Sequence, residues 1–219
     1  MTGEDLLERM SDGAELSPPR PGPLLIVLSG PSGVGKDTLL RRLKPLLPDI
    51  DYAVTVTTRP PRPDETPGQS YHFVDRDAFD DLMRTGRLLA AAQVHGHWYG
   101  APLANVCDAL HAGRDVLLKV DVRGAAEIGE RFSHGIFIFL APPSWPDLVD
   151  RLVGRRTETG QDLGRRIEDA RVEMEQTDKY DYVVVNPENA IEVAVGDVMS
   201  IIVAERHHIS RLPLDLSSC

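Results

Sequence analysis

Leu24-Leu25-Ile26-Val27-Leu28 runs directly into Ser29-Gly30-Pro31-Ser32-Gly33-Val34-Gly35-Lys36-Asp37-Thr38, and this stretch decides the fold. A short continuous apolar run before a glycine-rich turn reads as a strand buried on both faces of a parallel sheet. A helix is predicted from Lys36 to about Leu43. The pattern G-x-x-x-x-G-K, set between strand and helix, is a phosphate loop. Its glycines let backbone N–H groups turn inward around phosphate oxygens, and the helix N-terminus adds partial positive charge. Lys36 places a point charge on the outer phosphates. The candidate nucleotide ligands here are Gly30, Ser32, Gly33, Val34, Gly35, Lys36, Asp37 and Thr38. The residue after the lysine is ordinarily Ser or Thr, whose hydroxyl ligates Mg²⁺. Here it is Asp37, a stronger hard-cation ligand and the candidate metal residue. Thr38 comes one place too late to substitute simply.

Outward from this core, further strands are expected around Val54 and Val56, over 115–120 (DVLLKV), 136–140 (IFIFL) and 182–185 (YVVV). Helices are expected over 77–86, through a long charged region 145–177, and over 190–207. Strands alternating with helices make an α/β fold, with a five-stranded parallel sheet flanked by helices. Residues 1–22 read as a flexible acidic and proline-rich tail, and 208–219 as a C-terminal tail.

The chain has 219 residues and a formal net charge of −10, from 24 Lys and Arg against 34 Asp and Glu. That balance argues against nucleic-acid partners and against a polybasic membrane anchor. Apolar runs of about five to seven residues cannot span a bilayer, which needs roughly 20. The N-terminus lacks a signal-peptide layout. Cys107 and Cys219 form neither a disulfide framework nor a zinc spacing, so a reducing cytoplasm is expected and Cys107 reads as a small buried apolar residue. The seven histidines share no metal-ligand spacing with acids or cysteines.

A second constellation lies at Thr55-Val56-Thr57-Thr58-Arg59-Pro60-Pro61-Arg62-Pro63, continuing to Gly68-Gln69-Ser70-Tyr71-His72-Phe73. Two arginines three apart, held by prolines and followed by a tyrosine, suit a phosphate monoester. Guanidinium forks match phosphate oxygens in pairs, and a tyrosine hydroxyl completes the cage. Alone, the string reads equally as a solvated basic loop. Beside a phosphate loop it reads as a second phosphate site.

These pieces together resemble guanylate kinases, which move the γ-phosphate of ATP onto GMP. The resemblance covers roughly residues 23–205. It rests on GPSGVGK, TTRPPRPDETPGQSYHFV, WYG at 98–100, VDVRGA at 120–125, FLAPPS at 139–144, RLVGRRTET at 151–159 and YDYVVVN at 180–186. It implies a core over 23–207, a monophosphate-binding insert near 55–105 and a lid near 151–166. By position, Arg59, Arg62, Tyr71 and Tyr99 match the clamp on the GMP phosphate. Thr55 and Asp121 match guanine-reading positions, since a carboxylate suits the N1–H and N2 amine on one base edge. Arg155 and Arg166 match arginines that approach the transferring phosphate, and Arg151 a third at the start of the lid. Asn186 falls near the adenine of ATP. In-line phosphoryl transfer follows, driven by positioning and charge neutralisation, with Mg²⁺ as the cofactor, ATP and GMP as partners, and a monomer or homodimer as the working form. Arg165 reads as part of an ordinary charged helix face.

Three positions depart from the family pattern. Ala90 stands where a glutamate usually accepts from guanine. Ala101 replaces a small hydroxyl residue. Lys119 replaces an acid two residues before Asp121. The opposite changes at Asp37 and Lys119 predict a charge exchange, with Lys119 paired to Asp37 or to a phosphate. An acid after the phosphate-loop lysine also occurs in relatives that phosphorylate ribose bisphosphate, so that acceptor is a second reading. A catalytically silent binding module of the same fold is a third, although such modules tend to lose the phosphate loop.

Overall fold

The structure, a computed structural model, describes residues 22–63, 65–94, 96–154 and 160–219. Strand β1 (Leu25–Ser29) is buried along its whole length, as its unbroken apolar run requires. It sits at the centre of a five-stranded sheet with β2 (Asp51–Ala53), β7 (Val116–Lys119), β8 (Ile136–Ala141) and β9 (Tyr182–Val185). The order is β2-β7-β1-β8-β9, and every pairing is parallel. Successive side chains of β1 point to opposite faces. Leu24, Ile26 and Leu28 pack with Leu39 and Leu43 of α1 (Lys36–Leu43) and with Val195, Val198 and Ile202 of α7 (Ile191–Arg206). Leu25 and Val27 pack with Val106 and Leu110 of α3 (Leu103–His111) and with Ala125 and Ile128 of α4 (Val122–Arg131). Both faces are therefore covered, which removes any reason for polar alternation in the strand.

From β1 the chain passes to β2, beyond β7 on one side, whereas from β7 it passes across β1 to β8 on the other. Chain connections consequently leave in opposite directions, opening a crevice beyond the strands' carboxyl ends. The phosphate loop leaves β1 at that crevice.

The remaining four strands form a second sheet. It comprises β3 (Val56–Thr57), β4 (His72–Phe73), β5 (Leu88–Val94) and β6 (His97–Pro102), with α2 (Arg76–Arg84) between β4 and β5. Asp75 caps α2 by accepting from the Ala78 N–H at 2.8 Å. The single strand expected around Val54 and Val56 is in fact two. β2 ends at Ala53 in the first sheet, and β3 begins at Val56 in the second. The chain crosses between sheets at Val54 and Thr55, which a local reading of one β-branched cluster cannot separate.

The helical region expected over 145–177 likewise divides into α5 (Trp145–Val153) and α6 (Gly160–Met174). Ser144 caps α5 through the Asp147 N–H. The expected lid spans this division, and Arg155 lies outside the described residues, as does nearly all of the tail expected over 1–22.

One expectation is overturned. Cys107 and Cys219 form a disulfide, with Cα atoms 5.5 Å apart across a sequence separation of 112. The reason is the course of the last residues. Leu214 and Leu216 pack against the core face containing Val106 and Leu110, and Arg131 donates to the Ser218 carbonyl at 3.0 Å. This return brings the terminal cysteine to α3. Cys107 is buried, as expected, but not as a free thiol. Among the described residues, no helix is long and apolar enough to cross a membrane.

Candidate active site

Gly30 and Gly35 shape the phosphate loop. Both have positive φ, 138° and 108°. A Cβ at Gly30 would lie 2.3 Å from the Leu140 carbonyl oxygen of the neighbouring strand. A Cβ at Gly35 would lie 2.6 Å from Asn186 Nδ2. Only glycine fits either position. The Lys36 ammonium folds back to donate to the Gly30 carbonyl and, at 3.1 Å, to the Pro31 carbonyl. Burial holds its pKa below the ordinary lysine value, against the opposing pull of Glu173 and Asp37.

The loop is braced from behind. Asn186 Nδ2 donates to the Val34 carbonyl at 2.7 Å, and Arg151 donates to the same carbonyl at 3.2 Å. Arg151 also donates to the Asn186 carbonyl at 3.0 Å. On the opposite side, the Ser32 N–H donates to the Glu173 carboxylate at 3.0 Å. Burial raises the Glu173 pKa, partly offset by Lys36 and the Ser32 bond. An acidic side chain thus holds a backbone donor that faces the phosphate cradle.

Across the cavity, Arg59 is held by several partners, among them the Pro60 carbonyl, to which it donates at 2.7 Å. Its guanidinium donates to Glu65 at 2.7 and 2.9 Å, and its Nε donates to the Tyr99 hydroxyl at 3.2 Å. It also stacks within 5.5 Å of the Tyr71 ring centre. Glu65 further accepts from the Arg62 backbone N–H at 2.8 Å. Burial works to raise the Glu65 pKa, but the bonds from Arg59 and Arg62 outweigh it and hold the carboxyl below its ordinary value. The fork of Arg59 is therefore preset by an internal carboxylate.

The expected pairing of Lys119 with Asp37 is present. The Lys119 ammonium, at the end of β7, contacts the Asp37 carboxylate of α1 and donates to the Tyr71 hydroxyl at 2.7 Å. Burial alone would lower the Lys119 pKa, but Asp37 and Tyr71 more than reverse this and raise it.

A cavity of about 550 Å³ brings together most of the predicted residues. Its walls include Ser32 to Asp37, Thr55, Arg59, Arg62, Tyr71, Tyr99, Asp121 and Arg166. Ala90 and Ala101 also line it. Asp121 caps α4 by accepting from the Gly124 N–H at 2.9 Å, so one carboxylate oxygen orients the helix that frames the pocket. Arg166 is buried. Gly30, Thr38, Arg151 and Asn186 do not line the cavity. Arg151 and Asn186 act on the loop's far side, through Val34. Arg165, expected on a charged helix face, is exposed there and also borders the cavity.

Sequence reading missed Glu65 and Glu173. Glu65 sits inside the quoted motif, three residues after Arg62, where its pairing with arginine is a detectable signal. Glu173 lies 141 residues from its partner Ser32, and no local pattern connects them.

Among the described residues, no group of three or more His, Cys, Asp or Glu side chains could hold a metal ion unaided. Asp37 offers one carboxylate at the cavity wall. Magnesium usually takes one or two protein carboxylates and completes its shell with substrate phosphates and water. The donor set suits an ion that arrives with a nucleotide.

Known proteins resemble this chain in sequence and fold. The family model for guanylate kinase matches residues 23–205. The guanylate kinase of Desulfitobacterium hafniense (strain Y51) is 43% identical over 190 residues, covering 87% of this chain and 94% of that protein. That of Nocardia farcinica (strain IFM 10152) is 46% identical over 166 residues, covering 75% and 86%. The crystal structure of guanylate kinase from Anaplasma phagocytophilum superposes with a TM-score of 0.71 at 32% identity, covering 88% of this chain and 90% of that one. A match across most of the chain, joined to the shared fold, places this chain in the guanylate kinase family.

Proposed function

We propose that the chain transfers the γ-phosphate of ATP to GMP, giving ADP and GDP. One observation carries this reading. The phosphate loop with Lys36, and the cluster of Arg59, Arg62, Tyr71 and Tyr99, line a single cavity. Two phosphate sites in one cavity suit direct transfer between two bound nucleotides.

The roles follow from position and charge. Backbone N–H groups from Gly33 to Asp37 cradle the donor phosphates, with Lys36 swinging from the Gly30 and Pro31 carbonyls onto them. Arg151 and Asn186 keep the loop in shape. Arg59, Arg62, Tyr71 and Tyr99 hold the acceptor phosphate, and Thr55 and Asp121 read the base. Lys36, Arg155 and Arg166 offset the charge that develops on the equatorial oxygens of the transferring group. Asp37 would hold Mg²⁺, which when bound would supply charge neutralisation at the triphosphate. The segment near 151–166 closes over the site and excludes water, limiting wasteful hydrolysis. All of these groups come from one chain, so a monomer or a homodimer would serve. The cytoplasm, where both nucleotides are available, is the proposed location.

The test is ADP release from ATP and Mg²⁺ with GMP, dGMP, AMP, CMP, UMP or ribose 1,5-bisphosphate as acceptor. Strong preference for GMP is expected. Preference for a sugar bisphosphate would overturn the acceptor assignment, and silence across the panel would overturn the enzymatic one.

A further inference from the structure

Lys119 joins two parts of the molecule that the phosphoryl-transfer roles treat separately. It ends β7 beside β1, in register with Leu28. Its ammonium reaches Asp37 on the phosphate-loop helix and Tyr71 in the acceptor clamp, with the Tyr71 hydroxyl at 2.7 Å. Lys119 is 9% exposed and Tyr71 is 8% exposed, so neither side chain has much water to choose instead. The ammonium also lies 4.1 Å from the centre of the Tyr71 ring. Both residues line the cavity.

The chemistry of the contact fixes its direction. A lysine ammonium has three donors and no acceptor, whereas a tyrosine hydroxyl both donates and accepts. Tyr71 must therefore accept from Lys119. Its own proton is left to point elsewhere, and among the described residues no acceptor takes it. The group best placed to receive it is an anion in the cavity. An acid at position 119 would reverse this polarity, because the hydroxyl would then donate to the acid.

From this geometry we infer that Lys119 is a positioning residue that fixes the Tyr71 hydroxyl as a hydrogen-bond donor to the acceptor phosphate. The inference rests on the reading that Arg59, Arg62 and Tyr71 hold that phosphate. Lys119 also neutralises Asp37, a separate effect that would favour phosphate in either site. The test must therefore separate the two.

The experiment is binding of GMP and of guanosine to the full-length protein, by titration with EDTA present and without ATP. Lys119→Met should weaken GMP binding about tenfold, the worth of one good charge-assisted hydrogen bond. Guanosine binding should not change, because the effect acts on the phosphate alone. Lys119→Arg, which keeps a donor, should retain GMP affinity within about threefold. Tyr71→Phe should lose a similar factor to Lys119→Met, and the pair together should lose little more than Tyr71→Phe alone. The same cycle in an Asp37→Ser background, where the carboxylate paired with Lys119 is removed, should keep that coupling. Thermal unfolding of each variant monitors the fold. The inference is overturned by unchanged GMP affinity in Lys119→Met, by equal loss for guanosine, or by coupling that vanishes with Asp37. Failure of the wild-type protein to bind GMP at all would instead overturn the acceptor assignment itself.

Discussion

Gly35→Ala isolates the geometry of the phosphate loop. Gly35 has φ 108° and caps α1 in a left-handed conformation. Holding an alanine there costs about 1–3 kcal/mol. The new Cβ would also sit 2.6 Å from Asn186 Nδ2, the atom that donates to the Val34 carbonyl at 2.7 Å. Asn186 must withdraw, losing a buried hydrogen bond of about 1 kcal/mol. The expected total is roughly 2–4 kcal/mol. A loop that keeps its shape shows this as lower folding stability. A loop that relaxes shows it as weaker ATP binding, up to about 30- to 1,000-fold. Denaturant unfolding and calorimetric ATP titration together capture both, and their sum is the quantity to compare. Asn186→Ala in the same background removes the collision, so the double variant should fall short of additivity by about 1 kcal/mol. Gly68→Ala serves as a control. Its φ is 76° with nothing within 4 Å of a new Cβ, so only about 1 kcal/mol of backbone strain is expected. A Gly35→Ala protein with unchanged stability and unchanged ATP affinity would refute the reasoning.

Three further perturbations bear on other parts of the site. Lys36→Ala should lower kcat by on the order of 10³ while leaving the melting temperature near wild type, since burial already disfavours that charge in the folded protein. Steady-state kinetics beside a melting curve checks this, and normal turnover would remove Lys36 from its role. Ala90→Glu places an acceptor against the base pocket and should lower the KM for GMP about tenfold, because hydrogen bonds to charged groups contribute about 1.5–3 kcal/mol. An unchanged KM would mean another group already reads that edge. Glu65 has a folded pKa below its unfolded value, so its contribution is present above the unfolded pKa and is lost as pH falls through the folded one. Glu65→Gln should therefore flatten the acid limb of the stability-against-pH curve, measured by urea unfolding. An acid limb as steep as wild type would discount the Arg59–Glu65 pair.

Much of this was legible in the chain. The helix predicted from Lys36 to about Leu43 and the strand over 182–185 lie where the sequence places them, because each begins and ends on an unambiguous change of pattern. The Asp37–Lys119 contact was also readable, as two opposite substitutions at positions the fold makes neighbours. The β5–β6 hairpin was not. Leu88-Leu89-Ala90-Ala91-Ala92 lacks both alternation and β-branched residues, and the hairpin holds its place through pairing with its neighbours, not through propensity. The helices Leu103–His111 and Val122–Arg131 carry weaker sequence signals than the strands beside them. Glu173 and the Cys107–Cys219 disulfide depend on contacts more than 100 residues apart in sequence, which only the folded chain creates. Arg151 shows a subtler gap. Motif position places it at the start of a lid, but its hydrogen bonds place it behind the phosphate loop.

The central claim is that donor and acceptor phosphates meet in one cavity. The most direct measurement uses a single ligand in which adenosine and guanosine are joined through their 5′ oxygens by a chain of five phosphates. Calorimetric titration should give one molecule bound per chain, and kinetics should show competition against both ATP and GMP. Competition against ATP alone, with GMP still binding to the complex, would contradict the claim.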